Sequence, residues 1–173
     1  MLDRWAERRS LPVSTNHEPA PFRGLAAGIA AGLVASLAMN LFQKAWAKAL
    51  PPPGSGDDPA TVKAAQRASR AATGEYFAKE DKEAAGNAVH YLFGAVLGGA
   101  YGLLAEYRPE VTSGYGTLFG LGSATFDEAA VPAVGISGPP TDFSATTHAY
   151  ALASHVVFGG ATEATRRLVR ADG

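Results

Sequence analysis

Residues 115–134, YGTLFGLGSATFDEAAVPAV, are apolar and glycine-rich for most of their length and then carry adjacent carboxylates, Asp127 and Glu128. Two acids in such surroundings need partners, because burying an uncompensated charge is costly. Three other stretches share this length and character. The four cover residues 24–43, 88–105, 114–133 and 144–162, and although the chain has 15 basic and 16 acidic residues, only Asp127 and Glu128 fall inside them. A soluble bundle would place a charged stripe on each helix to face water. A helix rises 1.5 Å per residue, so about 20 residues match the roughly 30 Å hydrocarbon core of a bilayer. The reading is an all-α polytopic membrane protein with four transmembrane helices in an antiparallel bundle. A soluble four-helix bundle is the alternative, because spans rich in Ala and Gly insert only marginally by hydropathy.

The chain has 173 residues, no cysteine and a net charge of -1. That is one domain, with neither disulfides nor thiolate metal ligands, and without the basic excess that a nucleic-acid partner demands. Residues 1–23, with Arg4, Arg8, Arg9 and Arg23 among prolines and polar residues, read as a mobile tail before a membrane domain at 24–170. The apolar run after the tail exceeds the 7–15 residues of a signal-peptide core, so it reads as an uncleaved span.

In the first span Gly24, Gly28, Gly32 and Ser36 recur every four residues, and in the second Gly94, Gly98 and Gly102 do the same. Such stripes let helix backbones approach closely, and they suggest self-association into a homo-oligomer. Between these spans, Pro51-Pro52-Pro53-Gly54 stops the first helix. Asp58 as N-cap with Pro59 at the first helical position then opens an extramembrane helix over 59–73, ended by Gly74. Lys63, Arg67 and Arg70 lie on a helical repeat there, suited either to lipid headgroups or to water. The short link at Glu106-Tyr107-Arg108-Pro109 makes the second and third spans antiparallel neighbours. Both faces carry nearly equal numbers of Lys and Arg. The crowding of Arg166, Arg167 and Arg170 at the last span favours cytoplasmic termini.

Antiparallel order converts sequence position into depth. Asn40, His90, Asp127, Glu128 and His148 fall within about two turns of one another in height, toward the face of the long loop, and His155 lies about 10 Å deeper than His148 on the same helix face. Ionisable groups within a membrane normally face a partner or a wet cavity. Imidazole with carboxylate can relay protons or coordinate a divalent ion. The plainer alternative is that His90 and His148 are hydrated at the interface and one acid points at water. At the opposite face, Glu106 and Glu163 end the second and fourth spans, where Arg108, Arg166 or Arg167 are candidate partners in exposed pairs of topological or docking value. No nucleophile has an identifiable base and orienting acid, so no enzyme is expected. Gly114-Tyr115-Gly116 and Gly120-Leu121-Gly122 are read as parts of an apolar helix rather than as phosphate loops.

The glycine-rich GLAAGIAAGLVAS before a Pro-Pro turn, His90 with GGAYGLLAEYRP, VPAVGISGPP at 131–140 and SHVVFGGATEATRRLVR at 154–170 resemble the YagU-like bacterial inner-membrane proteins, a family without an assigned function. The resemblance covers most of the chain beyond residue 23. It implies a helical inner-membrane protein and supplies no reaction. The family pattern can carry a histidine before the proline of the third span, where this chain has Asp127 and Glu128.

Three functions remain open at this point. One is the binding or movement of protons or a divalent ion through the His/carboxylate level. Another is a structural or interaction role in the envelope without transport. The third is bis-histidine haem b, held by His90 with His148 or His155. No cofactor is otherwise implied, and the bilayer itself is the expected partner.

Overall fold

The computed structural model describes residues 18–50 and 58–171. The arginines expected in the tail at 4, 8 and 9 and the Pro51 to Gly54 stop lie outside the described residues. Five α-helices account for most of the rest: α1 (Pro21–Ala49), α2 (Ala60–Thr73), α3 (Lys82–Tyr107), α4 (Thr117–Ala133) and α5 (Ala145–Ala171). Short 3-10 turns precede α3 and sit in the two later connections. The protein is all-α, and two of its helical segments, Pro21–Ala49 and Lys79–Tyr107, are long and apolar enough to cross a membrane.

Helix α1 starts with Pro21 in its first turn, where a missing N–H costs nothing. Helix α2 begins after Pro59, one residue later than expected, and has no side-chain cap. Asp58 instead receives the Lys82 ammonium at 2.6 Å. Gly74 ends α2 in the left-handed region at φ +82, as helix C-caps commonly do. Helix α5 departs most from the expected boundary and continues past residue 162 to Ala171. Apolarity stops at Glu163, but charged residues do not break a helix.

The Gly114-Tyr115-Gly116 segment, expected inside a helix, is a left-handed turn ahead of α4, with φ of +70, +55 and +79. Gly116 is required there twice over. Its backbone disfavours a side chain, and a Cβ would collide with Gly159 of α5. The guanidinium of Arg167 covers the Tyr115 ring at 4.6 Å from its centroid.

Helices α1 and α3 run antiparallel at backbone contact. Gly28 faces Gly98 and Gly102, Gly32 faces Gly94 and Gly98, and Gly24 leaves room for Gly102 and the Glu106 side chain. Ser36 ends the α1 stripe against Gly94. The two glycine stripes are thus spent on each other within one chain, and the face reserved for a second copy is occupied. Helix α5 packs on the other side of α1, with Trp46 and Tyr150 rings 5.6 Å apart. Helix α4 packs on α5 through Gly116, Gly120 and Gly159. Helices α3 and α4, despite their short connection, are not close backbone neighbours; they meet where Tyr101 stacks on Phe119 at 4.4 Å. Chain proximity did not dictate packing because the small-residue faces that permit close approach lie elsewhere.

Many large apolar side chains face outward, while several of the tightest interior positions are polar. The largest fully buried side chains are Glu163, Thr162, Ser36 and Ser154, whereas Leu92 and Leu118 are 66% and 61% exposed. Leu33, Val34, Leu37 and Leu41 likewise face outward along α1, and Phe93 and Val96 along α3. A small apolar knot of Ala35, Met39 and Phe158, backed by Leu97, Phe119 and Ala161, lies at the centre.

Candidate functional site

Asp127 and Glu128 stand in the last third of α4, whose antiparallel neighbour α5 presents His155 and His148. Seven residues separate the two histidines, so they share a face about 10 Å apart along the axis. The acids diverge along the seam. Asp127 Oδ2 lies 3.1 Å from His155 Nε2, and Glu128 Oε1 lies 2.6 Å from His148 Nδ1. Neither acid is left alone with solvent, although each carboxylate keeps more than a third of its surface open.

The second nitrogen of each ring decides what these pairs hold. His155 Nδ1 is 2.8 Å from the carbonyl oxygen of Ala151, and His148 Nε2 is 3.1 Å from that of Pro140. Each imidazole therefore stands between a carbonyl, which only accepts, and a carboxylate. A neutral ring has one N–H. Satisfying both contacts takes a second proton, carried either on the ring as imidazolium or on the carboxyl. All contacts of each ring are met only with one proton more than a neutral imidazole and an ionised carboxylate carry.

The other residues of this level are placed differently. His90 Nε2 is 3.4 Å from the carbonyl oxygen of Ser36. It stands within electrostatic reach of His155 and Asp127 without bonding to either. Asn40 turns away to donate to Asn87 at 3.5 Å. Among the described residues no three His, Asp or Glu side chains converge as a metal-binding set. His148 and His155 each engage both ring nitrogens, which suits neither to haem iron.

At the opposite end, the glutamates expected in exposed pairs are buried. Glu163 is 0% and Glu106 is 4% exposed. Arg166 grips Glu163 through Nε at 2.7 Å and Nη2 at 2.9 Å, Arg167 Nε adds a bond at 2.6 Å, and the Tyr101 hydroxyl donates from α3 at 2.9 Å. Burial pushes the Glu163 carboxyl up, but its guanidinium partners and Tyr101 outweigh that and hold it below the ordinary range. The same pairing raises Arg166. Glu106 accepts from Arg170 at 2.9 Å and from the Ala20 backbone N–H at 3.0 Å. The ends of α1, α3 and α5 are thereby tied together. Arg108, a candidate partner, is exposed beyond the end of α3.

Sequence reasoning missed Tyr101 and Arg170 as members of this cluster. The signal was present in E-x-x-R-R-x-x-R at 163–170, which places Arg166 and Arg167 within a turn of the glutamate and Arg170 two turns on along the same face once the helix is continued. Arg67 was also missed. It reaches from α2 to the carbonyls just past the end of α4, donating to Val134 at 2.6 Å and also to Gly135, and nothing local announces that partner.

These features define an all-helical protein with membrane-length apolar helices and a polar interior. The model of the family described as "Protein of unknown function (DUF1440)" matches residues 34–164, and the chain belongs to that family. No curated protein matches it, and no solved structure matches it.

Proposed function

We propose that the protein is a four-span inner-membrane protein of the YagU-like type, with cytoplasmic termini, whose α4–α5 seam binds and exchanges protons. The outward-facing apolar side chains support immersion of all four long helices. Leucine, valine and phenylalanine point outward where lipid would be, and hydroxyls, glycines and glutamates point inward. In water the hydrophobic effect favours the reverse arrangement. Helix α4, at about 26 Å for 17 residues, is the shortest of the four and fits a locally thin bilayer.

The observation that carries the proton reading is the bracketing of His148 and His155, each between a carbonyl and a carboxylate. A divalent ion is disfavoured, since the carboxylates are spent on imidazoles rather than turned toward a shared point. No covalent step is assigned, and the ion pairs around Glu106 and Glu163 act as a structural clamp.

The test is the purified protein in liposomes carrying a pH-sensitive dye. A pH gradient should collapse faster with the protein than without it, and Asp127→Asn or His155→Gln should slow that collapse. Flux equal to empty liposomes, or unchanged by either substitution in a correctly folded protein, removes the transport reading and leaves the envelope structural role.

A further inference from the structure

We infer that the cavity between α2 and the adjoining ends of α3 and α4 binds a phosphate-bearing anion, such as the headgroup of an acidic phospholipid or free phosphate. The cavity is a cleft open to the surface with a volume of about 530 Å³, within the range of small-molecule sites. Among the described residues its wall includes Lys63, Arg67 and Lys82 with the carboxylate of Asp58, and Phe77 and Ile136 as apolar lining.

Two of the cationic groups, Lys82 and Arg67, are held in place before any ligand arrives. Asp58 anchors Lys82 at 2.6 Å, which leaves two of the ammonium protons for other acceptors. Arg67 is fixed by the carbonyl oxygens of Val134 and Gly135. Carbonyls orient a guanidinium without cancelling its charge, so the wall retains a positive excess. Preorganised cations of this kind recognise phosphate oxygens through charge-assisted hydrogen bonds at little ordering cost. Exposed Tyr76 and Phe77 provide a surface for the non-polar part of an amphiphilic anion.

Placement favours a lipid source. Helix α2 packs on α3 by seating Val62 against Gly86 near the α3 start, and Arg67 joins it to the end of α4. The cavity thus sits where two apolar helices emerge at the same level, which is headgroup depth in a bilayer. The lipid source rests on the membrane reading proposed above, whereas anion recognition does not.

The test uses the full chain purified in a neutral detergent, with phosphatidylglycerol, phosphatidylcholine and inorganic phosphate as separate probes in native mass spectrometry and thermal melting. Wild type should retain phosphatidylglycerol over phosphatidylcholine. The Lys63→Gln/Lys82→Gln variant should lose about tenfold in retention, the scale of lost charge-assisted bonds. If millimolar inorganic phosphate displaces the lipid and raises the melting temperature alone, free phosphate is the ligand; if it does neither, the headgroup is. Equal retention of phosphatidylcholine by wild type overturns the site without recourse to a variant, as does unchanged retention in a variant that melts normally. Sedimentation without detergent separates the two readings, since a chain left in the supernatant refutes the membrane while phosphate binding remains measurable.

Discussion

Arg166 grips Glu163 through two nearly parallel hydrogen bonds, at 2.7 Å from Nε and 2.9 Å from Nη2, around a carboxylate with no exposed surface. Fork geometry of this kind is the strongest form of the arginine–carboxylate pair. Its partner contacts to Tyr101 and Arg167 satisfy the remaining acceptor positions.

Removing the carboxylate therefore leaves a half-buried guanidinium and a buried phenol without a partner. Glu163→Ala should cost about 3 kcal/mol, the scale seen when one member of a buried pair is deleted, read as a lower melting temperature in detergent. The pH dependence has a definite sign. A carboxyl held below its ordinary value of 4.5 contributes stability that is complete above that value and is lost as pH falls through the depressed folded value. Wild type should lose stability on acidification below about pH 4.5 more steeply than Glu163→Gln, and identical slopes would show that the pair is uncoupled from folding.

The α1–α3 seam makes a paired prediction from glycine alone. A methyl group at Gly28 would strike the Gly98 carbonyl and the Gly102 backbone, whereas one at Gly122 meets nothing within 4 Å. Gly28→Ala should destabilise by about 1–3 kcal/mol through forced separation of the helices. Gly122→Ala should instead raise the melting temperature slightly, because alanine is favoured over glycine inside a helix. Equal effects would mean that the seam is looser than the contact geometry requires.

Much of this architecture is visible in the residue pattern, for reasons that can be named. The four apolar stretches mark the long helices because helix length and apolarity are local properties, and Gly74 marks the end of α2 because a left-handed cap favours glycine. The partner of each stripe is not local. That α1 sits between α3 and α5, with α4 beyond α5, depends on Gly116, Gly120 and Gly159 meeting across 39 or more residues of chain. Asp127, Glu128 and His148 could be assigned a common depth, with His155 deeper on the same helix face, yet the one-to-one pairing required the actual phase of α4 against α5. The end of α5 was obscured by equating loss of apolarity with loss of helix, and that hid the burial of Glu163.

Arg67 supplies the tie between α2 and α4. Its bonds to Val134 and Gly135 are exposed, so Arg67→Gln should change global stability by less than about 1 kcal/mol. The local consequence should be larger. Hydrogen exchange across residues 60–73 should accelerate, because local opening draws on the contacts of that element alone, while exchange in α1 stays slow. Unchanged protection of α2 would assign its anchoring to Val62 and Ala65 only.

The sharpest prediction concerns the proton between His155 and Asp127. The Ala151 carbonyl takes the Nδ1 hydrogen, so the contact from Nε2 to Oδ2 at 3.1 Å is attractive only when one further proton is shared. Nitrogen-15 NMR of histidine-labelled protein should find that proton, either as a doubly protonated His155 ring or as a neutral ring beside a protonated Asp127. Asp127→Asn changes the count without changing the shape. The amide can donate to Nε2, so a singly protonated ring satisfies both neighbours and the extra proton is no longer required. The variant should therefore bind about one proton fewer per molecule across the titration of this pair, with His148 and Glu128 unaffected. A wild-type spectrum with a singly protonated His155 and an ionised Asp127 would place two acceptors face to face, and the proton site would not exist.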